Sequence, residues 1–228
     1  MRRPQLFPVT VLIPAASALS SGSTAASRAA LSPFRIGRTP VTNGEYAPFL
    51  AGGGAAPPPW WSDLAFCGPG QPVVGVTWED ASAYCAWLTA IDSGRWRLPS
   101  EAEWERAISG GVPHPKTPWG ETLPSGEIPV GPLAGPWRVG CGTPNAFGVL
   151  DPGTIVHEWC LDWRDPAPSA APAGAALPRR ASRGGSWRHR IRWSAPSARS
   201  SLPPAFRYSD YGFRVLREEH PAPVPAGS

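Results

Sequence analysis

Residues 97–105 read Arg-Leu-Pro-Ser-Glu-Ala-Glu-Trp-Glu, and most of the fold assignment turns on them. A serine followed three residues later by a glutamate is a capping box. The Ser100 hydroxyl accepts from the Glu103 amide, the Glu103 carboxylate accepts from the Ser100 amide, and two orphan donors of a helix N-terminus are satisfied. A helix therefore begins here and stops near Gly110-Gly111, residues suited to a helix end. Trp104, early in that helix, anchors a core. Glu101, Glu103 and Glu105 suit the positive helix end; at those spacings they point apart, so they read as capping or solvated groups rather than a catalytic cluster.

Two further helix starts lie upstream. Thr42-Asn43-Gly44-Glu45 has the same capping spacing and predicts a helix with Tyr46, Phe49 and Leu50 facing inward, ended by the Gly/Pro stretch 52–59. Thr77 caps another, to about Ala90, whose Ala81, Tyr84, Cys85 and Leu88 recur at helical spacing and mark one buried face. Val9, Val11 and Ile13 alternate, predicting a strand over residues 6–13 closed by Pro14. Phe34–Gly37 reads as a short strand and Val73–Val76 as a buried one. Beyond Gly111 the chain is rich in turns, with a flexible excursion expected over residues 165–178. Helices packed on an irregular, mostly β remainder make an α+β domain.

Composition agrees with a folded body. Of 228 residues, 42% are hydrophobic and 17% charged, with 12 Trp, while 31 Pro and 25 Gly call for much irregular structure. A single domain over residues 6–217 is expected, followed by a flexible tail, 218–228. The net charge of +4 rests on arginine, Lys116 being the only lysine, and from Arg179 to Arg217 ten arginines face one acid, Asp210. Such a stretch attracts acidic ligands, but with no groove-reading motif beside it nucleic acid is not the expected partner. Cys67, Cys85, Cys141 and Cys160 have no zinc spacing and read as buried thiols, or at most one or two disulfides. His114, His157, His189 and His220 form no i, i+4 pair and no HExxH, and no P-loop, GxGxxG or GxSxG string occurs. No segment reaches the length of a membrane span, and Pro8, Thr10 and Pro14 break the apolar start; a cytoplasmic protein is expected.

Several strings, in order, resemble the formylglycine-generating-enzyme, or sulfatase-modifying-factor, family. They are Arg38-Thr39-Pro40-Val41-Thr42-Asn43-Gly44-Glu45-Tyr46, Pro72-Val73-Val74-Gly75-Val76-Thr77-Trp78-Glu79-Asp80-Ala81 and Arg97 to Glu105. Pro118-Trp119-Gly120, Asn145 to Asp151, His157-Glu158-Trp159, Arg183-Gly184-Gly185-Ser186-Trp187 and Gly212-Phe213-Arg214 complete the set. The resemblance implies an α+β, C-type-lectin-like fold, with a few helices around short antiparallel strands and much irregular loop. It also makes Val11-Leu12-Ile13-Pro14 the opening strand of the fold rather than a cleaved leader.

The same resemblance implies what is missing. The family's oxidases hold copper with two cysteines shortly after the Gly-Gly-Ser-Tyr/Trp string, since soft thiolates suit copper(I). Here no cysteine follows Cys160, and Trp187 leads into Arg188-His189-Arg190. The family's calcium signature, usually Gly-Asn-Val-Trp-Glu-Trp, reads Thr154-Ile155-Val156-His157-Glu158-Trp159, so Ile155 replaces an amide oxygen ligand. Asp151, Glu158 and Asp162 remain as a weaker carboxylate alternative. No catalytic residue, metal or cofactor is expected; a divergent enzyme or an accessory subunit is the alternative.

Between the anchors at Trp187 and Gly212 lies the segment expected to carry function. Its candidate ligand-binding residues are Arg188, His189, Arg190, Arg192, Trp193, Ser200, Ser201, Leu202, Phe206, Arg207, Tyr208, Ser209 and Tyr211. Tyr, Trp, Arg and Ser together are what binding surfaces use, because rigid rings give area at low entropic cost and hydroxyls give adaptable hydrogen bonds. This arrangement resembles the variable proteins of diversity-generating retroelements, implying a variable surface at residues 188–211 that binds a macromolecule, most simply a protein. The opposing expectation is that the aromatics are core and the arginines pair with buried acids.

Overall fold

The computed structural model describes residues 7–16, 30–113, 115–123, 134–164, 177–189 and 194–219. The stretch 165–176, most of the expected excursion, and residues 220–228 of the expected tail lie outside them.

All three helices begin where the sequence places a cap. α1 (Asn43–Ala51), α2 (Trp78–Ile91) and α3 (Glu101–Ile108) carry complete capping boxes, on Thr42 with Glu45, Thr77 with Asp80 and Ser100 with Glu103. Tyr46 of α1 packs against Tyr84 of α2 and Phe213, and Phe49 against Tyr84, with ring centroids 5.2–6.3 Å apart. Ala81, Tyr84, Cys85 and Leu88 are the buried face of α2, at the spacing the sequence shows. Trp104 is buried in a second cluster with Ile13, Phe34, Ile36 and Leu216.

The strands form two four-stranded sheets. In the first, β1 (Thr10–Ile13), β2 (Phe34–Gly37), β8 (Leu216–Glu218) and β3 (Trp96–Arg97) lie in the order β1-β2-β8-β3, all antiparallel. The second has β6 (Arg199–Leu202), β5 (Arg180–Arg183), β4 (His157–Trp163) and β7 (Tyr211–Gly212) in that order, and β7 runs parallel to β4. The strand pattern thus departs from a purely antiparallel expectation at one pair, because β7 is reached by the loop that follows β6 rather than by a hairpin from β4.

Two readings need correction. Val73–Val76 is not a strand. Its valines are buried, but Gly75 takes φ +72°, and its amide donates to the Tyr208 and Tyr211 carbonyls at 3.1 Å, so it is an extended bridge into a later loop. The α3 glutamates are not solvated: Glu101 pairs with Arg199, Glu105 with Arg183, and Glu103 with Arg97 at 2.7 Å. Arg183 and Arg199 reach the helix from β5 and β6, and Arg97 from β3 just before it. All four cysteines are free thiols: Cys85 and Cys160 are buried, Cys67 is half-buried and Cys141 is exposed.

Candidate functional site

The loop between β6 and β7, residues 203–210, is held down along its length. The Trp78 amide at the start of α2 donates to the Pro204 carbonyl at 3.0 Å. Arg207 lies 2.6 Å from Asp80 and donates to the Gly75 carbonyl at 2.8 Å. Trp187 donates its indole N–H to the Ser209 carbonyl at 3.2 Å. With its backbone so fixed, the loop leaves Phe206 and Tyr208 41% and 44% exposed on either side of Arg207.

Next to it lies a pocket of about 510 Å³ lined by His157, Gly184, His189, Ala198, Arg199 and Ser200. Gly184 has φ +79° and faces Gly153 so closely that no Cβ fits, which brings its carbonyl to 2.8 Å from His157 Nδ1. A carbonyl only accepts, so Nδ1 carries the proton and neutral His157 presents Nε2 as an acceptor. Burial holds the His157 imidazole below its ordinary pKa, His189 adds to that shift, and Asp210 opposes it. His189 meets the His157 ring edge-on at 5.2 Å, and Tyr211 lies against it at 4.9 Å. Ser186 donates its hydroxyl proton to Asp210 at 3.0 Å and accepts from His189 Nδ1 at 3.2 Å. His157 Nε2 and Asp210 Oδ2 stand 4.0 Å apart.

The thirteen residues singled out in the sequence divide among several environments. Arg188 is half exposed, stacks over Trp187 at 4.9 Å and donates to Ser209 Oγ at 2.6 Å; His189 is exposed at the pocket. Ser200, Ser201 and Leu202 are half-buried on β6, and Arg207, Phe206 and Tyr208 form the outer face of the loop. Ser209 and Tyr211 are buried, the Tyr211 hydroxyl bonded to Ser200 at 2.8 Å, so they support the surface from beneath. Arg190, Arg192 and Trp193 lie outside the described residues. His157, Ser186 and Asp210 were not among the candidates. A histidine where the family usually has tryptophan, and the one acid in an arginine-rich stretch, were the signals for two of them.

The donor set does not fit the copper of the family's oxidases, because the segment after Trp187 contains no cysteine to supply a thiolate. Nor does the weaker carboxylate alternative gather. Glu158 is taken by Arg214 at 2.6 Å and by the Trp104 indole at 2.6 Å, Asp151 by the Gly140 amide, and Asp162 by the Glu101 amide at 2.7 Å. Among the described residues no three His, Cys, Asp or Glu side chains assemble as for a metal ion. No helix among them is long and apolar enough to cross a membrane.

Three capped helices, two small sheets and long tethered loops define a C-type-lectin-like protein of the formylglycine-generating-enzyme type. The chain matches the sulfatase-modifying factor enzyme 1-like domain over residues 1–219 and belongs to that family. It is similar to the formylglycine-generating enzyme of Streptomyces coelicolor, 32% identical over 187 residues covering 66% of this chain and 54% of that protein. PvdO from Pseudomonas aeruginosa superposes with a TM-score of 0.72 and 27% identity, over 94% of this chain and 96% of the other. Treponema denticola variable protein 1 superposes with a TM-score of 0.70 and 23% identity, over 92% and 95%, a likeness of fold. The chain spans from about a quarter to about half the length of curated relatives it matches, 24% and 54% in two cases.

Proposed function

We propose that the chain is a non-catalytic ligand-binding protein, of the kind diversified by retroelements, that presents the surface around residues 188–211 to a protein partner. The supporting observation is the exposed pair Phe206 and Tyr208 flanking Arg207 on a loop whose backbone is fixed by Trp78, Arg207 and Gly75. Large exposed rings on an ordered loop cost little entropy to bury against a partner, which is the property binding surfaces select. The missing thiolates remove the oxidase chemistry of the family from this segment and leave the scaffold for recognition. The fold shared with a variable protein agrees with this reading.

The test is partner capture with a triple variant, Arg188→Ala, Phe206→Ala and Tyr208→Ala. Loss of the captured protein with an unchanged melting temperature supports the proposal. Retained capture, or stoichiometric copper or iron with oxygen consumption in the purified chain, overturns it.

A further inference from the structure

Within the stretch Arg179 to Arg217, Arg183, Arg199, Arg207, Arg214 and Arg217 each stand against a carboxylate, of Glu105, Glu101, Asp80, Glu158 and Asp92. Among the described residues Arg180 pairs with none. Its guanidinium carbon lies 3.6 Å over the Trp78 ring and 3.7 Å over the Trp163 ring, so indoles cover it on two sides. Nη1 donates to the Leu161 carbonyl at 2.7 Å, Nε is buried without a partner, and Nη2 has no hydrogen bond among the described residues. The rings are themselves held in place. Trp163 pairs in register with Arg180 across β4 and β5, and the Trp78 indole N–H donates to the Cys160 carbonyl at 2.8 Å. All three residues are half-buried, which leaves the group within reach from solvent.

A guanidinium that is stacked and tied at one prong has already lost the freedom that a loose arginine gives up on pairing, and this one has no direct counter-ion. Resting on the binding role proposed above, we infer that Arg180 seats a single carboxylate side chain of the protein partner, taken at the Nη end of its fork, with the Trp78 and Trp163 indoles as the walls of the seat. The seat adjoins the surface proposed above: Leu202 of β6 stands opposite Arg180, and the Trp78 amide donates to the Pro204 carbonyl at 3.0 Å. Arg and Trp are also the residues on which interface energy concentrates.

Two features select one carboxylate over a polyanion. Glu79 and Asp162 lie close enough to act on the charge of Arg180 without pairing with it, so a run of acids or phosphates laid past the seat meets repulsion. The indole faces turned to Arg180 are occupied and offer nucleobases no platform there. Burial disfavours the charged form of Arg180, a cost that a seated carboxylate offsets. An amine fits no better, since it would meet donors and a positive charge.

The experiment is an NMR titration of the full chain with N-acetyl-glutamate methylamide at constant ionic strength. It is read on the indole N–H resonances of Trp78 and Trp163, assigned with the help of Trp163→Phe. A saturable shift of both is expected, absent with the glutamine counterpart. Arg180→Gln, with folding verified by its melting curve, should weaken binding about tenfold or more, the scale of a lost charged hydrogen bond. Arg180→Lys, which keeps the charge but not the planar fork, should weaken it several-fold. No saturable shift, equal shifts with the glutamine derivative, undiminished binding by either Arg180 variant, or a response to oligothymidylate at lower concentration than to the glutamate derivative would each overturn the inference. The titration of the unaltered chain stands even where a variant fails to fold, and it needs no partner. Partner capture lost in the triple variant but undiminished in Arg180→Lys would keep the protein-binding role and remove this seat.

Discussion

Arg214 and Glu158 form a two-pronged ion pair with no solvent exposure, Nε to Oε2 at 2.6 Å and Nη2 to Oε1 at 2.8 Å. Glu158 lies on β4, and Arg214 follows β7, its strand neighbour; Arg214 also donates to the carbonyls of Gly37 at 2.9 Å and Asp151 at 3.3 Å. One guanidinium thus ties together both sheets and the turn that precedes β4.

Breaking that pair should be severe. Glu158→Ala strands a buried cation and a buried Trp104 indole N–H, and a loss of about 3–5 kcal/mol is expected in urea unfolding. Glu158→Gln, which keeps one acceptor for Trp104, should cost less.

Gly184 admits no side chain. Its φ is +79°, and an added Cβ would lie 2.9 Å from Gly153 Cα, backbone that cannot step aside. Gly184→Ala should cost more than about 2 kcal/mol and shift the His157 resonances, because the 184 carbonyl would leave Nδ1.

Asp151 and His157 make stability depend on pH in opposite senses. Burial pushes the Asp151 carboxyl up to about 6 from its ordinary 3.8, so the folded state holds that proton more tightly than the unfolded one. Stability is therefore fully present below about 3.8 and is lost as the pH rises through 6, by roughly 2–3 kcal/mol. His157 acts in the opposite sense: its lowered pKa means the unfolded state binds the proton more tightly, and stability falls as the pH drops below 6.5. Asp151→Asn keeps an acceptor for the Gly140 amide and tolerates the φ of 49°, so it should abolish the loss between pH 3.8 and 6 while leaving the His157 loss below 6.5. Melting temperatures from pH 4 to 8.5 check both limbs.

Tyr208 and Tyr211 should separate surface from support. Tyr208→Ala removes an exposed ring and is expected to change stability by less than about 0.5 kcal/mol. Tyr211→Ala removes a buried ring packed on His157 and Trp159 and should cost about 3 kcal/mol in the same unfolding assay.

The sequence by itself determined the local events. The three helix starts were legible because a capping box is satisfied within four residues, and the buried face of α2 because burial there follows a fixed period. The ordered strings were enough to assign the fold, and the missing thiolates could be counted. Tertiary structure decided which groups meet. Glu101 and Glu105 look like free helix-end charges until β5 and β6 bring Arg183 and Arg199 to them. His157, Ser186, His189 and Asp210 are spread over 54 residues and carry no spacing signal, because strand pairing and the close approach of Gly153 to Gly184 join them. Contacts between residues far apart in the chain depend on loop closure and packing rather than on any local pattern, so this grouping of side chains exists only once the sheets have formed.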